Sequence, residues 1–532
     1  MRPVVFAIGL FAFALVVIRP TADIPINDDW QYSHVTKVLA EKGRFQIDVP
    51  IAPALVGQAA VGALWIHAFG FSHVKLRILT AIISVALILL FNQILGTLNV
   101  DPWTRGVALA TLVLNPFFLH FATSFMTENY GYTVMLLGIL LWLRDSRSLE
   151  HLTALRLSSA LILGASFWIR QFCVLALPAL LLAALWPERR RLGPFLKSAT
   201  TYLVVFALPI VAHALWSRHS GNVTQAASEP LRSLVRINTM PFFYQGAILL
   251  IYSTGFLLPL VLGRFQLTGH PRRRLGLVTL WIGGGVLYCY TQGHPAIGIS
   301  QHLHQFFPFS TNIINPHGLG PLTLTDAYYQ EVGPPTSVWP WALMGYALAV
   351  LTILALSSPR LTRSSSPFFS RFVFLFSLLT GYVVIMAFRK MIFDRYYFGI
   401  MLVFIPFLST VARIGQRRAL SLLALGLLGL YSLLGTHDYF RWQETRWALV
   451  EEALARGVHT TDLDGGYEVN GWFSVERQAG PDDNVTDPYF RPIRPFAVVI
   501  TVGPGDEILS ELTPPRLLFR LPHFKLVRRK LL

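Results

Sequence analysis

Long apolar segments recur along this chain of 532 residues and constrain its fold more than any other feature. A helix needs about 20 mainly apolar residues to cross a bilayer. Charged residues make up only 14% of the chain, against about 25% in a soluble globular protein. This excludes a soluble enzyme and a disordered protein. About thirteen apolar segments are predicted to span a membrane: 3–19, 76–97, 106–123, 129–143, 157–170, 172–186, 199–216, 242–262, 276–291, 338–357, 371–388, 396–412 and 419–436.

The distribution of positive charge predicts how the chain is oriented. Its net charge is +16, and the basic residues cluster in alternate loops, for example at 144–156, 189–197 and 272–274. The loop 292–337 contains neither Lys nor Arg. Loops rich in Lys and Arg stay in the cytoplasm, so we expect a cytoplasmic N-terminus and an extracytoplasmic C-terminal segment. The basic composition therefore reflects topology and not a nucleic-acid partner.

The first outer segment, 20–75, carries the sharpest local pattern. Asp28 followed by Gln31 resembles a capping box, and Gly43 is a typical helix stop. The sequence therefore predicts a short amphipathic helix at the outer membrane surface. Asp28 is either its N-cap or a carboxylate facing a cavity, and the two interpretations are compatible. The other outer segments are 217–241, 292–337 and the tail 437–532.

Two further charged residues lie where apolar segments meet. Glu128 lies between the segments 106–123 and 129–143, and Arg170 ends the segment 157–170, almost directly before 172–186. Charged groups near the bilayer are costly and are functional hypotheses by default. The alternatives are a solvated turn for Glu128 and interfacial anchoring of a long side chain for Arg170.

Several motifs occur in the same order as in one membrane superfamily. They are the acidic pair Asp28-Asp29 with Tyr32, Asn115-Pro116 leading to Thr127-Glu128, Arg170-Gln171, and Phe393-Asp394-Arg395-Tyr396 before a helix that contains Pro406. This order resembles the polyprenyl-phosphate-sugar glycosyltransferases, which include protein O-mannosyltransferases and lipid A aminoarabinose transferases. Many relatives have Glu at the position of Asp29, and the Lys-Pro-Pro stretch that some carry later in this loop is absent here.

The resemblance implies an all-α polytopic membrane protein of the C-type glycosyltransferase fold. It further implies a polyprenyl-phosphate-linked sugar donor, an extracytoplasmic acceptor and a place in the plasma (inner) membrane. By their match to the family, Asp28 is the expected general base, with Asp29 and Glu128 as further catalytic carboxylates. The residues expected to hold the donor phosphate are Arg170 and Arg395, with Arg389 and Lys390 as substitutes.

Two other classes of function remain open at this stage. A transporter or flippase places ionisable groups near the bilayer midplane, often in two related halves, whereas here the middles of the apolar segments are nearly free of charge. A non-catalytic membrane scaffold or sensor is the third class. No cofactor is expected. His294, His302, His304 and His317 crowd one outer loop, and metal ligation there is weighed against ordinary surface histidines.

The composition changes after residue 436. Polar segments replace the apolar ones, Gly457 is a typical helix stop, and 496–501 has the β-rich pattern of a buried strand. We therefore divide the chain into a transmembrane domain, 1–436, and a small extracytoplasmic α/β domain, 437–532. Because the second part carries none of the catalytic motifs, we expect it to bind or screen the acceptor.

Overall fold

Helices make up most of the secondary structure, with a small sheet near the C-terminus. The computed structural model describes residues 2–47, 51, 53–145, 151–188, 192–220, 252–253, 255–262, 312–315, 318–321, 323–324, 373–374, 377–378, 381–382, 393–411, 418–476, 494–519 and 523–530. Its α-helices are α1 Pro3–Ile18, α2 Asp29–Lys42, α3 Val56–Phe69, α4 His73–Thr97, α5 Pro102–Val113, α6 Pro116–Ala122, α7 Thr127–Arg144, α8 Ala154–Ala165, α9 Ala176–Glu188, α10 Leu192–His219, α11 Tyr397–Val411, α12 Arg418–Ala455 and α13 Tyr467–Glu476.

Several of these helices are suited to a bilayer. In the described ranges, α4, the part of α10 from Phe195 to His219, and α12 are each long and apolar enough to cross a membrane, and α5 with α6 forms a fourth such span bent by 61°. Large apolar side chains on the outside of α10 and α12 are exposed, for example Leu215 and Leu423. Exposed apolar surface of this kind marks contact with lipid. The chain is therefore treated as an integral membrane protein.

The breaks between helices follow the sequence. Asn115 caps α6 by accepting from the Phe117 N–H at 2.9 Å, and Pro116 occupies the first position of that helix, where its missing N–H costs nothing. The predicted segment 106–123 is thus two helices. The segment 20–75 contains a helix that the sequence did not indicate, α3, whose apolar run is interrupted by Gly57, Gln58 and Gly62.

The helices near the site described below pack against one another in pairs. Helix α7 contacts α4 on one side and α8 on the other, and α8 also contacts α10. Helix α1 packs against α5, α4 and α12. The short helix α2 lies against α3 and α13, so it joins the first outer segment to the C-terminal part of the chain.

The C-terminal part contains a four-stranded sheet. The strands β1 Ile314–Asn315 and β2 Gly318–Leu319 form a separate antiparallel pair, and β3 Leu463–Asp464, β4 Phe496–Val499, β5 Glu507–Leu512 and β6 Phe524–Arg528 form the sheet in the order β3-β4-β6-β5. Strand β3 is parallel to β4, and the other two pairings are antiparallel. The buried strand predicted at 496–501 is confirmed, and the helix predicted to end near Gly457 ends at Ala455.

Helix α12 connects the two parts of the chain without a break. It runs through the boundary placed at residue 436 and continues to Ala455. Beyond that boundary, the buried carboxylate of Asp438 accepts three backbone hydrogen bonds of 2.8 Å from Leu517, Leu518 and Phe519. The polar second half of α12 therefore belongs to the packing of the C-terminal segment, because the Asp438 carboxylate holds the bend at 517–519.

Candidate active site

Asp28 lies at the turn that starts α2, but it does not cap that helix. Its backbone has φ −67° and ψ −6°, and its side chain makes no capping hydrogen bond. The Gln31 amide donates to the Tyr467 hydroxyl at 2.7 Å and does not reach back to the helix start. The predicted capping box is therefore wrong: the turn is closed by backbone bonds, with Asp29 donating to the Ile26 carbonyl and Gln31 to the Asp28 carbonyl.

The carboxylate of Asp28 instead forms an ion pair with Arg395. The guanidinium nitrogen Nη1 of Arg395 donates to Oδ2 of Asp28, and both side chains are largely removed from solvent. Arg395 lies in the 3-10 turn Asp394–Tyr396 that precedes α11. Asp394 fixes this turn, because its two carboxylate oxygens accept the Ile313 and Ile314 N–H groups at 3.0 and 2.6 Å. Burial raises the pKa of Asp394 to about 6.

A second ion pair joins Glu128 to Arg170. Glu128 is in the first turn of α7 and is fully buried, and its Oε1 lies 3.0 Å from Nη1 of Arg170. The backbone of Arg170 is extended, with φ −152° and ψ 116°. The residue lies between two 3-10 turns that separate α8 from α9. Its Nη1 donates to the Thr127 hydroxyl at 3.0 Å. A Cβ at Gly131 would lie 2.6 Å from the Cβ of Arg170, so only glycine lets the two segments approach here.

Aromatic side chains connect the two ion pairs into one buried charged cluster, which we call the cleft. The ring of Tyr396 lies 5.6 Å from the Arg170 guanidinium and 5.5 Å from that of Arg395, within the range of a cation–π contact. Tyr32 interacts electrostatically with both arginines and with both Asp28 and Glu128, and burial raises its pKa above the usual range. The cleft thus contains two cations, two carboxylates and a set of phenol rings.

Some of the buried polar atoms in this cleft have no hydrogen-bond partner among the described residues. They are Nε and Nη2 of Arg170, Nε of Arg395 and both carboxylate oxygens of Glu128. Buried polar groups are nearly always satisfied, so these guanidinium donors are available to a further partner; the same holds for Nε and Nη2 of Arg446 in its buried pair with Glu468. Arginine donors are arranged as a fork that matches the oxygens of a phosphate group.

Asp29 is adjacent in sequence but lies in a different environment. Its Oδ1 accepts the Ile26 N–H at 2.5 Å, and its Oδ2 lies 4.0 Å from Nη2 of Arg77. Arg77 also donates to the carbonyls of Ala22 and Ile24. Burial raises the pKa of Asp29 to about 7 against the opposing effect of Arg77. These contacts tie Asp29 to the backbone of the segment 20–75, and its expected catalytic role stays a prediction.

Six further candidate residues lie outside the described ranges: Arg389, Lys390, His294, His302, His304 and His317. Within the described ranges, no group of three or more His, Cys, Asp or Glu side chains is arranged to hold a metal ion.

Two residues of the site were not anticipated from the sequence, Tyr467 and Glu468 at the start of α13. The Tyr467 hydroxyl is hydrogen-bonded to the Asp28 carboxylate, and Glu468 accepts the Asn27 N–H at 2.9 Å. Both residues lie in a polar segment far along the chain from Asp28. The pattern Tyr-Glu at a helix start gives no sign of such a contact, and only the fold brings the segments together.

Comparisons with known proteins give a loose structural similarity. The crystal structure of ArnT from Cupriavidus metallidurans in the apo state is similar to this chain with a TM-score of 0.32 and 13% identity, covering 84% of this chain and 79% of that one. The structure of the same protein bound to undecaprenyl phosphate gives a TM-score of 0.30 and 12% identity, covering 80% and 77%. Neither a family model nor a curated protein matches. Similarity at this level establishes neither the fold nor the activity of this chain.

Proposed function

We propose that this protein is an integral membrane glycosyltransferase that moves a sugar from a polyprenyl-phosphate donor to an extracytoplasmic acceptor. The observation that carries the proposal is the joining of two arginine–carboxylate pairs, Arg395–Asp28 and Arg170–Glu128, in one buried cleft beside apolar helices. The order of the motifs that contribute these residues, which resembles that of the polyprenyl-phosphate-sugar glycosyltransferases, supports the same conclusion.

The donor phosphate would bind to the two arginines. The unsatisfied donors of Arg170 and Arg395 are suited to phosphate oxygens, while the polyprenyl tail remains in the bilayer. Two carboxylates balance the two arginines before the donor binds. An incoming phosphate must therefore replace Asp28 at Arg395, and this exchange leaves the Asp28 carboxylate free of its cation.

The released Asp28 would then act as the general base. An acceptor hydroxyl or amine attacks the anomeric carbon of the sugar, and its proton passes to the Asp28 carboxylate. The bond between the anomeric carbon and the phosphate oxygen breaks, and the polyprenyl phosphate leaves with the bonding electrons. Arg170 and Arg395 stabilise the charge on this leaving group. General base catalysis contributes about 10²- to 10⁴-fold to such a rate.

Glu128 would orient Arg170 toward the phosphate. It is fully buried and approaches Nη1 of Arg170, while Thr127 accepts a hydrogen bond from that same nitrogen. The guanidinium is thus fixed on one edge, and its Nε and Nη2 remain without partners among the described residues. The reaction as written needs no cofactor.

The orientation in the membrane belongs to the same proposal, because the cleft must face the compartment of the acceptor. The asymmetry of the basic loops favours a cytoplasmic N-terminus and an extracytoplasmic C-terminal segment in the inner membrane. A reporter that is active only outside the cytoplasm should be active when fused after Leu532 and silent when fused at Arg190. The opposite pair of results would place the cleft on the wrong side.

The function is tested by mass spectrometry of envelope lipids and glycans. Cells that carry the wild-type gene, the Asp28→Asn variant or an empty vector are extracted and compared. We expect a product that is heavier than its acceptor by one sugar residue in wild-type cells only, and an accumulated donor in the other two. Identical extracts would overturn the proposal. A glycan precursor that only changes sides of the membrane, with no new bond, would favour a flippase.

A further inference from the structure

The first turn of α13 reaches back to the loop that carries Asp28. The Tyr467 hydroxyl accepts a hydrogen bond of 2.7 Å from the Gln31 amide, which leaves its own proton for the Asp28 carboxylate, to which it is hydrogen-bonded. The Tyr467 ring is held in place by the edge of Trp30, with the ring centroids 5.7 Å apart. The hydroxyl therefore has a fixed position beside the proposed base.

Glu468 holds the residue that immediately precedes Asp28. Its Oε1 accepts the Asn27 N–H at 2.9 Å, and its Oε2 accepts from the Thr323 hydroxyl at 2.5 Å and lies 2.9 Å from Nη1 of Arg446. Both members of the Glu468–Arg446 pair are fully buried. Asn27 has φ +54°, a left-handed conformation that residues other than glycine seldom adopt. The Glu468 carboxylate thus stabilises an uncommon backbone turn on which the direction of Asp28 depends.

We propose that Tyr467 and Glu468 are positioning residues for Asp28, so that the C-terminal segment completes the catalytic site. This inference rests on the proposed function. Tyr467 orients the Asp28 carboxylate when the donor phosphate replaces that carboxylate at Arg395. Glu468 fixes the backbone turn at Asn27. The segment 437–532, which we expected to bind or screen the acceptor, would thus also orient the base. A chain that ends near residue 436 would lose both contacts, and Asp28 would lose its orientation.

The variant Tyr467→Phe tests the first contact with little disturbance, since the ring and its packing on Trp30 are kept. A carboxylate that loses a hydrogen-bond donor is less well oriented toward the acceptor. We therefore expect kcat to fall while the binding of polyprenyl phosphate is unchanged. The other charged or titratable groups that face Asp28 are Arg395, Tyr32 and His120, and they are unchanged in this variant.

The second contact is tested by comparing Glu468→Gln with Glu468→Ala. Gln keeps an oxygen for the Asn27 N–H, whereas Ala does not. We expect kcat to fall in both variants and to remain higher in the Gln variant. Matched controls come from around the far end of α7, about 26 Å from Glu128 at 1.5 Å per residue. Asp145 follows the last residue of α7, and Tyr202 of α10 packs against Trp142 in its last turn. Tyr202→Phe removes a hydroxyl that donates to the His151 carbonyl, and Asp145→Asn removes the carboxylate of a buried pair with Arg156.

Transfer is measured in detergent-solubilised membranes that contain the native donor and acceptor, and binding of radiolabelled polyprenyl phosphate is measured on the purified variants. We expect Tyr467→Phe to lose about tenfold in kcat with polyprenyl phosphate binding unchanged, and both controls to match the wild type. A Tyr467→Phe variant with the wild-type kcat, beside an inactive Asp28→Asn, would overturn this inference alone. Equal losses of binding and rate would reduce Tyr467 to a structural residue. A fully active Asp28→Asn variant would overturn the proposed base itself.

Discussion

The environment of Asp29 makes a prediction that separates it from its neighbour Asp28. Burial raises the pKa of Asp29 from 3.8 to about 7. Between these two values the folded protein holds a proton that the unfolded chain has released, so stability must fall as the pH rises. The interval of about 3 pH units corresponds to about 4 kcal/mol at 1.36 kcal/mol per unit. This stabilisation is complete below about pH 4 and is lost as the pH passes through about 7.

The variant Asp29→Asn removes the ionisable group and keeps an oxygen for the Ile26 N–H. We expect its melting temperature, measured for the purified protein in detergent from pH 4 to pH 8, to fall less steeply than that of the wild type. A smaller decline should remain in the variant, because burial also raises the pKa of Asp394, to about 6. We expect the variant to retain sugar transfer, since the contacts of Asp29 described above are with Ile26 and Arg77 and not with Arg170 or Arg395.

Two results would refute this reasoning. A melting temperature that falls as steeply in Asp29→Asn as in the wild type would show that Asp29 is already ionised in the folded protein at low pH. Loss of transfer by Asp29→Asn together with an active Asp28→Asn variant would exchange the roles of the two carboxylates. Asp29→Asn and Asp28→Asn are therefore matched controls for each other.

Two further predictions concern Arg170 and Asp438. Arg170→Lys keeps the charge but lacks the planar fork that binds phosphate oxygens. Mass spectrometry of the product should therefore show partial transfer by Arg170→Lys and very little by Arg170→Ala. Equal transfer by Arg170→Ala and the wild type would make the residue an interfacial anchor. Asp438→Ala leaves three backbone N–H groups of 517–519 without their acceptor. We expect the free energy of unfolding of the C-terminal segment to fall by at least about 3 kcal/mol. The measurement is proteolysis of the folded protein, which should cut faster after residue 455. An unchanged rate of cleavage would contradict this.

The sequence predicted those features that depend on local pattern. Helix α2 ends with Gly43 in the left-handed conformation, φ +62°, as the stop signal indicated. Glu128 and Arg170 were selected because charged residues between apolar segments are costly, and the structure pairs them at 3.0 Å. Helix stops and isolated charges are properties of a short stretch of chain. They were sufficient to predict the end of α2 at Gly43 and to select Glu128 and Arg170.

The features that failed depend on contacts between distant segments. The capping box of Asp28 and Gln31 was wrong because both side chains have partners from elsewhere, Arg395 for the first and Tyr467 for the second. A short motif cannot reveal such competition. For the same reason the sequence could not separate the cleft-facing Asp28 from the buried Asp29, nor show that α12 continues through residue 436.

The central claim is that the two arginines form a site for a lipid-linked phosphate, and binding of radiolabelled polyprenyl phosphate to the purified protein in nanodiscs tests it most directly. We expect Arg395→Ala and Arg170→Ala each to weaken binding about 10- to 100-fold, the equivalent of one or two charge-assisted contacts. Asp28→Asn should bind at least as tightly as the wild type, because Arg395 no longer has to leave a charged partner. Arg144→Ala, at the other end of α7, should bind normally. Wild-type binding by both folded cleft variants would contradict the account.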